Sequence, residues 1–311
     1  TQIPLLQSVI LDADDATVVF PAMPDGRGLR LIQDVDPARG GGTTLGVEVI
    51  DVDTPTFADP FSQNVNATPV DMVAADVDGD GIQELAVVFA GTPGSVAVYD
   101  VQTGSPVLIP GLGRTVGDHP VDLDAGDLDG DGDDDLAVAV AGDQQVVVLT
   151  ALSSSFASRV INTPGGVPTC VAIADWDGDL ARDVVVGVDV AGAAEDEFRI
   201  TLDVLDVPVT GPILVIPAAG EPPLVPNFPD APSAVAGGGS EVGWGFVGAT
   251  QNGMAYAYRS GQSRTELASV GENRITQITA KDIDESGGDG WLDVILASDE
   301  GELVVIVPGL S

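Results

Sequence analysis

The most constraining feature of this sequence is that it repeats itself. Residues 70–89 read VDMVAADVDGDGIQELAVVF, residues 121–140 read VDLDAGDLDGDGDDDLAVAV, and residues 169–188 read TCVAIADWDGDLARDVVVGV. A fourth copy, residues 276–296, reads TQITAKDIDESGGDGWLDVIL, with three extra residues in its loop. Each copy holds a short apolar strand, an Asp-rich loop and a strongly apolar strand. A further β-rich segment follows at 95–99, 145–149, 198–204 and 303–307. The loops open at Asp76, Asp127, Asp175 and Asp282, giving steps of 51, 48 and 107 residues. The last step is two periods, so a degenerate copy is expected between. Residues 233–258 fit it, with glycines where the aspartates were. One period before Asp76, AMPDGRGLRLIQDV near Met23 is a second eroded copy, followed by a strand at 46–52.

A period of about 50 residues is the size of a β-propeller blade. The expectation is an all-β chain in which residues 1–311 form one propeller of six blades, seven being the alternative, each a four-stranded antiparallel sheet. The repeats fall near 11–60, 67–115, 118–163, 167–231, 232–272 and 273–311. The last repeat stops after its third strand, so the apolar stretch 3–10 is expected to add the missing outer strand and close the ring. No segment holds a 3.6-residue apolar period. The Pro-rich stretch 206–232 is expected to be an outer strand plus a long connection between blades. The core must be mostly Val, Ala, Leu and Ile, because aromatics supply only 5 % of the chain.

The Asp-rich loops suit a hard cation. Calcium takes six to eight oxygens at about 2.3–2.6 Å, which a short loop delivers from carboxylates at alternate positions and a glycine that lets the backbone fold over the ion. The first loop offers Asp76, Asp78, Asp80, the carbonyl of Ile82 and Glu84, with Gly81 at position 6. The second offers Asp127, Asp129, Asp131, the carbonyl of Asp133 and Asp135, with Gly132. The third offers Asp175, Asp177, Asp179, the carbonyl of Ala181 and Asp183, but has Leu180 in place of the glycine. The fourth, allowing for its insertion, offers Asp282, Asp284, Asp289, the carbonyl of Trp291 and Asp293. Three to four calcium ions are therefore expected. Without a cation, four carboxylates held together would cost several kcal/mol in repulsion and desolvation. An EF-hand also begins DxDxDG, yet it needs a bidentate Glu at position 12 and flanking helices. Position 12 here is Val87, Val138 and Val186, each in an apolar β run.

The pattern D-h-D-G-D-G-x-x-D/E-L, with h apolar, resembles the FG-GAP or VCBS repeat of integrin α-chain propellers and many bacterial secreted proteins. Phe89-Ala90-Gly91-Thr92-Pro93, after the first loop, resembles the dipeptide pair that names the repeat. The resemblance covers four segments by motif and two more by spacing. It implies a propeller with calcium in its loops. It leaves molecular function open, because that family includes adhesins, lectin-like modules and non-catalytic domains attached to enzymes.

Charge narrows the partners. With 49 acidic against 11 basic residues the formal net charge is −38, and Lys281 is the only lysine. Nucleic acid and anionic membranes are excluded as expected partners, since both need a basic footprint. No apolar stretch approaches the roughly 18 residues of a membrane-spanning helix. Cys170 is the only cysteine, so no disulfide forms within the chain, and its apolar surroundings suit a buried thiol. His119, the only histidine, precedes Pro120 in a linker and is expected to be exposed. No GxSxG and no His cluster occurs, and GLGRTVG at 111–117 reads as a plain turn rather than a dinucleotide loop. Trp176, Trp291, Trp244, Tyr256 and Tyr258 are expected to pack in the core rather than stack on sugar. Asn66-Ala67-Thr68 is an N-glycosylation sequon.

The chain is expected to be a secreted or cell-surface protein in processed form, beginning at Thr1. It is expected to be no enzyme but a calcium-stapled adhesion module that binds a protein or a glycan. The alternative is a subunit of a surface fibre or extracellular assembly whose partner is copies of itself. A calcium-dependent polysaccharide-degrading enzyme ranks last.

Overall fold

The computed structural model describes residues 27–34, 44–51, 61–64, 68–100, 107–152, 154–163, 166–175, 182–189, 197–201, 232–237, 245–258, 265–271, 273–281, 293–299 and 303–306. All regular structure among them is β. The strands are β1 (Arg27–Asp34), β2 (Thr44–Asp51), β3 (Phe61–Asn64), β4 (Pro69–Ala75), β5 (Glu84–Phe89), β6 (Gly94–Asp100), β7 (Val107–Gly117), β8 (Pro120–Gly126), β9 (Asp135–Val140), β10 (Gln145–Leu152) and β11 (Ser155–Asn162). They continue with β12 (Val167–Ala174), β13 (Asp183–Asp189), β14 (Glu197–Thr201), β15 (Pro232–Gly237), β16 (Phe246–Thr250), β17 (Met254–Tyr258), β18 (Thr265–Ser269), β19 (Ile275–Lys281), β20 (Asp293–Ser298) and β21 (Leu303–Ile306).

These strands make six sheets among the described residues, each an antiparallel meander in chain order. Four-stranded sheets are β4–β7, β8–β11 and β15–β18; β1–β3, β12–β14 and β19–β21 show three strands each. The stretch 3–10, expected to close the ring, and the connection 206–231 lie outside the described residues. The first strands of successive sheets, β4, β8, β12, β15 and β19, lie against one another in sequence order. That is the arrangement of inner strands in a propeller.

Why this sequence stacks sheets face to face is legible in the second strands. β5 and β9 are buried along their whole length. Leu136, Val138 and Val140 of β9 join one core cluster with Ala86, Val88, Val96 and Val98 of the preceding sheet. The alternate residues Ala137 and Ala139 join a second cluster with Val171, Ile173, Val184 and Val186 of the following sheet. Period-2 alternation therefore feeds two cores rather than one core and solvent. Small aliphatic residues fill these interfaces, as the low aromatic content requires. Val87, Val138 and Val186, the residues that rule out an EF-hand, are buried in these middle strands.

The inner strands share a second signature. Each of β4, β8, β12, β15 and β19 shifts register against its neighbour near its start, just after Pro69, Pro120, Pro168, Pro232 and Ile275, the first residue of each strand except in β12, where it is the second. Proline is tolerated at a strand's first residue or in a bulge, because no ladder N–H is needed there. The fifth repeat, which lost its aspartates, keeps this bulge.

One sequence expectation is overturned. Residues 111–117, read as a plain turn, run inside β7 and pair with β6 through Ala97↔Gly113, Val96↔Arg114 and Ser95↔Thr115. Register shifts on both sides absorb the glycines, and Leu112 and Val116 are buried in the core. His119 is exposed, at φ 55°, and its N–H donates to the Gly91 carbonyl at 3.0 Å. Cys170 and Tyr256 are buried, as expected. Trp176, Trp244, Trp291 and Asn66 lie outside the described residues, as does the side chain of Tyr258. No helix among the described residues is long and apolar enough to cross a membrane.

Candidate metal centre

The two complete Asp-rich loops connect the inner strand of a sheet to its buried second strand, β4 to β5 and β8 to β9. Each loop begins where the inner strand ends and places its ninth residue as the first of the next strand, so the strand pair fixes both ends. Left-handed glycines make the reversal between. Gly79 and Gly81 have φ of 71° and 84°, and Gly130 and Gly132 have φ of 76° and 98°, a region that side chains with a Cβ rarely adopt.

Backbone amides organise the carboxylates in the same way in both loops. Asp76 Oδ2 accepts from Gly81 N at 2.9 Å, and Asp127 Oδ2 accepts from Gly132 N at 3.2 Å. Glu84 Oε2 accepts from Val77 N at 3.0 Å; its counterpart Asp135 accepts from Leu128 N at 2.9 Å and from Ala151 N at 2.8 Å. Asp78 Oδ1 accepts from Asp80 N, and Asp129 Oδ1 from Asp131 N. The result is two triads, Asp76–Asp78–Glu84 and Asp127–Asp129–Asp135. In each, one ligand-capable oxygen per residue lies within 4.8 Å of the others. Asp80 and Asp131 belong to neither triad. They are exposed, and they accept from Ile82 N at 2.9 Å and Asp133 N at 3.0 Å, positioning the two residues expected to offer carbonyls.

The electrostatics favour a bound cation. Glu84 is 2 % exposed and Asp135 fully buried. Burial pushes the Glu84 carboxyl up to about 7 against the opposing Val77 N–H, and Asp78, Asp80 and Asp76 push it further. Burial likewise pushes Asp135 up to about 7, aided by Asp129 and Asp131. One oxygen gives the sharper test. Asp76 Oδ1 is buried and accepts no hydrogen bond. A buried carboxylate oxygen without a donor costs stability, and a cation in the triad would satisfy it. The all-oxygen donor set suits a hard divalent ion.

In the third loop Asp175 and Asp183 are both buried at the ends of β12 and β13, while Asp177, Asp179 and Ala181 lie outside the described residues. Of the fourth set only Asp293, at the start of β20, lies within them; Asp282, Asp284, Asp289 and Trp291 do not. Sequence reasoning missed Asp134, whose carboxylate accepts from the Asp76 N–H across two sheets. It also missed Asp71, Asp122 and Asp124, which stand on inner strands read as simply apolar.

The comparisons with known proteins bear on the repeats and on the fold. The FG-GAP-like repeat family matches residues 76–138 and again residues 127–186. No curated protein matches the sequence. Among solved structures, the chain is similar to Saccharomyces cerevisiae Sqt1, with a TM-score of 0.57 and 12 % identity over 90 % of this chain and 69 % of that one. It is also similar to BBS1N in a complex with ARL6DN soaked with lead (TM-score 0.55, 15 % identity, 98 % and 85 % covered). The Dos1 propeller gives a TM-score of 0.51 and 11 % identity, with 90 % and 64 % covered. At such identities the likeness concerns the fold alone. Residues 76–186 carry FG-GAP-like repeats, and the chain that holds them has the fold of a β-propeller repeat protein.

Proposed function

We propose that this chain is a non-catalytic, calcium-binding propeller that works outside the cell as an adhesion module, presenting a rigid surface to a protein or a glycan. The observation that carries the calcium reading is the buried, unpartnered Oδ1 of Asp76, a member of a carboxylate triad. Asp76, Asp78 and Glu84 would hold one ion and Asp127, Asp129 and Asp135 another. Bound calcium would offset two of the three negative charges of each triad and fix the strand-to-strand connection that carries it. The lone thiol is unsuited to act as a nucleophile: burial, more than the nearby Asp122 charge, pushes Cys170 far above the ordinary range. The extracellular placing rests on the likeness of residues 76–186 to a repeat common in secreted proteins.

Calorimetric titration of the chelator-treated protein with calcium, paired with melting curves, tests the reading. Uptake of at least two ions is expected, together with a melting temperature several degrees higher in calcium than in EDTA, because a ligand bound only to the native state stabilises it by mass action. Identical melting curves and no binding heat would refute it. Glycan-array binding would identify a sugar partner, and calcium-dependent light scattering would instead point to copies of the chain as the partner.

A further inference from the structure

Asp134 belongs to neither carboxylate triad, yet it ties one to the other. Its backbone N–H donates to the Asp76 carbonyl at 2.7 Å, and its Oδ2 accepts from the Asp76 N–H at 3.0 Å. The main chain of Asp76, the first residue of the first loop, is thus held on both sides by one residue of the second. Asp134 itself stands between Asp133, expected to offer a carbonyl to the second ion, and Asp135, a member of the second triad. A metal ion in the second loop therefore fixes both chain neighbours of the residue that grips Asp76. A second contact runs the same way: a Cβ built on Gly79 of the first loop would overlap the Asp133 carboxylate.

The third repeat has no such grip. The residue in the same loop position as Asp134 is Arg182, which can donate but cannot accept an N–H. The first repeat has Gln83 there. Among the described residues the clasp joins the first and second loops.

We propose that Asp134 is a positioning residue that couples the two metal sites, so that calcium in the second loop raises the affinity of the first. The inference rests on the calcium reading above. By linkage the coupling is reciprocal, and coupling of this kind ordinarily amounts to roughly 5- to 150-fold in affinity. The Asp134 carboxylate holds the Asp76 amide, which aims the Asp76 carboxylate into its triad; Asp134 does not touch the ion.

Calcium titration of the full chain as wild type, Asp134→Ala and Asp134→Asn tests this. Asparagine removes the charge but keeps an oxygen that can accept from Asp76 N–H, whereas alanine removes both. The expected result is that the alanine variant binds one ion about tenfold more weakly and without cooperativity, while the asparagine variant titrates like wild type. An alanine variant that titrates like wild type overturns the coupling. An asparagine variant as weak as the alanine one overturns it too, since charge alone would then explain the loss. Wild-type protein that takes up no calcium would refute the calcium reading itself, a separate outcome.

If the alanine variant does not fold, amide exchange decides. In Asp78→Ala, whose first triad is broken, calcium loads the second loop, and exchange at the Asp76 N–H is expected to slow at least several-fold. Unchanged exchange there overturns the proposal.

Discussion

Three aspartates on the inner strands show how single carboxyl groups join these sheets. Asp71 of β4 accepts from Leu123 N of β8 at 3.1 Å. Asp122 and Asp124 of β8 accept from Val171 N and Ile173 N of β12, each at 2.7 Å. Burial pushes Asp71 and Asp124 up to about 6, and the Asp134 charge adds to the shift of Asp124. Asp122 is pushed well above the ordinary carboxylate range, first by burial and then by the adjacent Asp71 charge and a side-chain hydrogen bond shared with Asp71. A carboxyl raised in the native state holds its proton to a higher pH than it does in the unfolded chain. Between about pH 4 and pH 6 the native state therefore binds more protons, and stability falls as pH rises through that window. In EDTA, the urea midpoint is expected to be lower at pH 8 than at pH 5. Asp122→Asn, which keeps an acceptor for Val171 N but cannot ionise, should flatten that dependence. An unchanged slope in the variant would remove Asp122 from the account.

At the scale of the strand, stability is set by burial on both faces. Leu136 of β9 is fully buried between sheets, whereas Val160 of the outer strand β11 is 50 % exposed. Leu136→Ala should lose about 2–5 kcal/mol in urea unfolding, as truncation in a close-packed core does. Val160→Ala should stay within about 0.5 kcal/mol; similar losses at the two sites would contradict the layered packing. The same contrast explains what could be read in the sequence. The loops were legible because Asp76, Asp78 and Glu84 lie within one short motif, where spacing alone places them together. β9 was legible because an unbroken apolar run has no other home in an all-β chain. Asp134 was not, because its partner Asp76 is 58 positions away and only the stacking of two sheets joins them. Nor was β7: its glycines carry turn propensity, and the pairing with β6 that overrides it depends on two register shifts that no local pattern encodes. The shared bulge did leave a trace, the prolines at 69, 120, 168 and 232, but proline spacing becomes meaningful only once the inner strands are known.

For the molecule as a whole, the dominant quantity is charge. A net of −38 opposes the compact state through self-repulsion, and two bound calcium ions would lower it only to −34. Their effect is nevertheless larger than that change suggests, because the ions would sit where carboxylates crowd within a few ångströms and repulsion is steepest. Monovalent salt acts differently: it screens exposed charges over about 10 Å at 0.1 M and about 3 Å at 1 M, reaching the whole surface but scarcely the buried Glu84 and Asp135. The two treatments should therefore overlap only in part. In EDTA, raising sodium chloride from about 0.05 M to about 1 M is expected to raise the melting temperature by several degrees. In saturating calcium the same step should raise it by clearly less, because most of the loops' charge would already be offset and chiefly the remaining surface repulsion is left to screen. Equal increments in the two conditions would mean that the loops contribute nothing special to the repulsion. The acidic excess would then be a property of the surface alone, and calcium would stabilise the fold solely through its ligands.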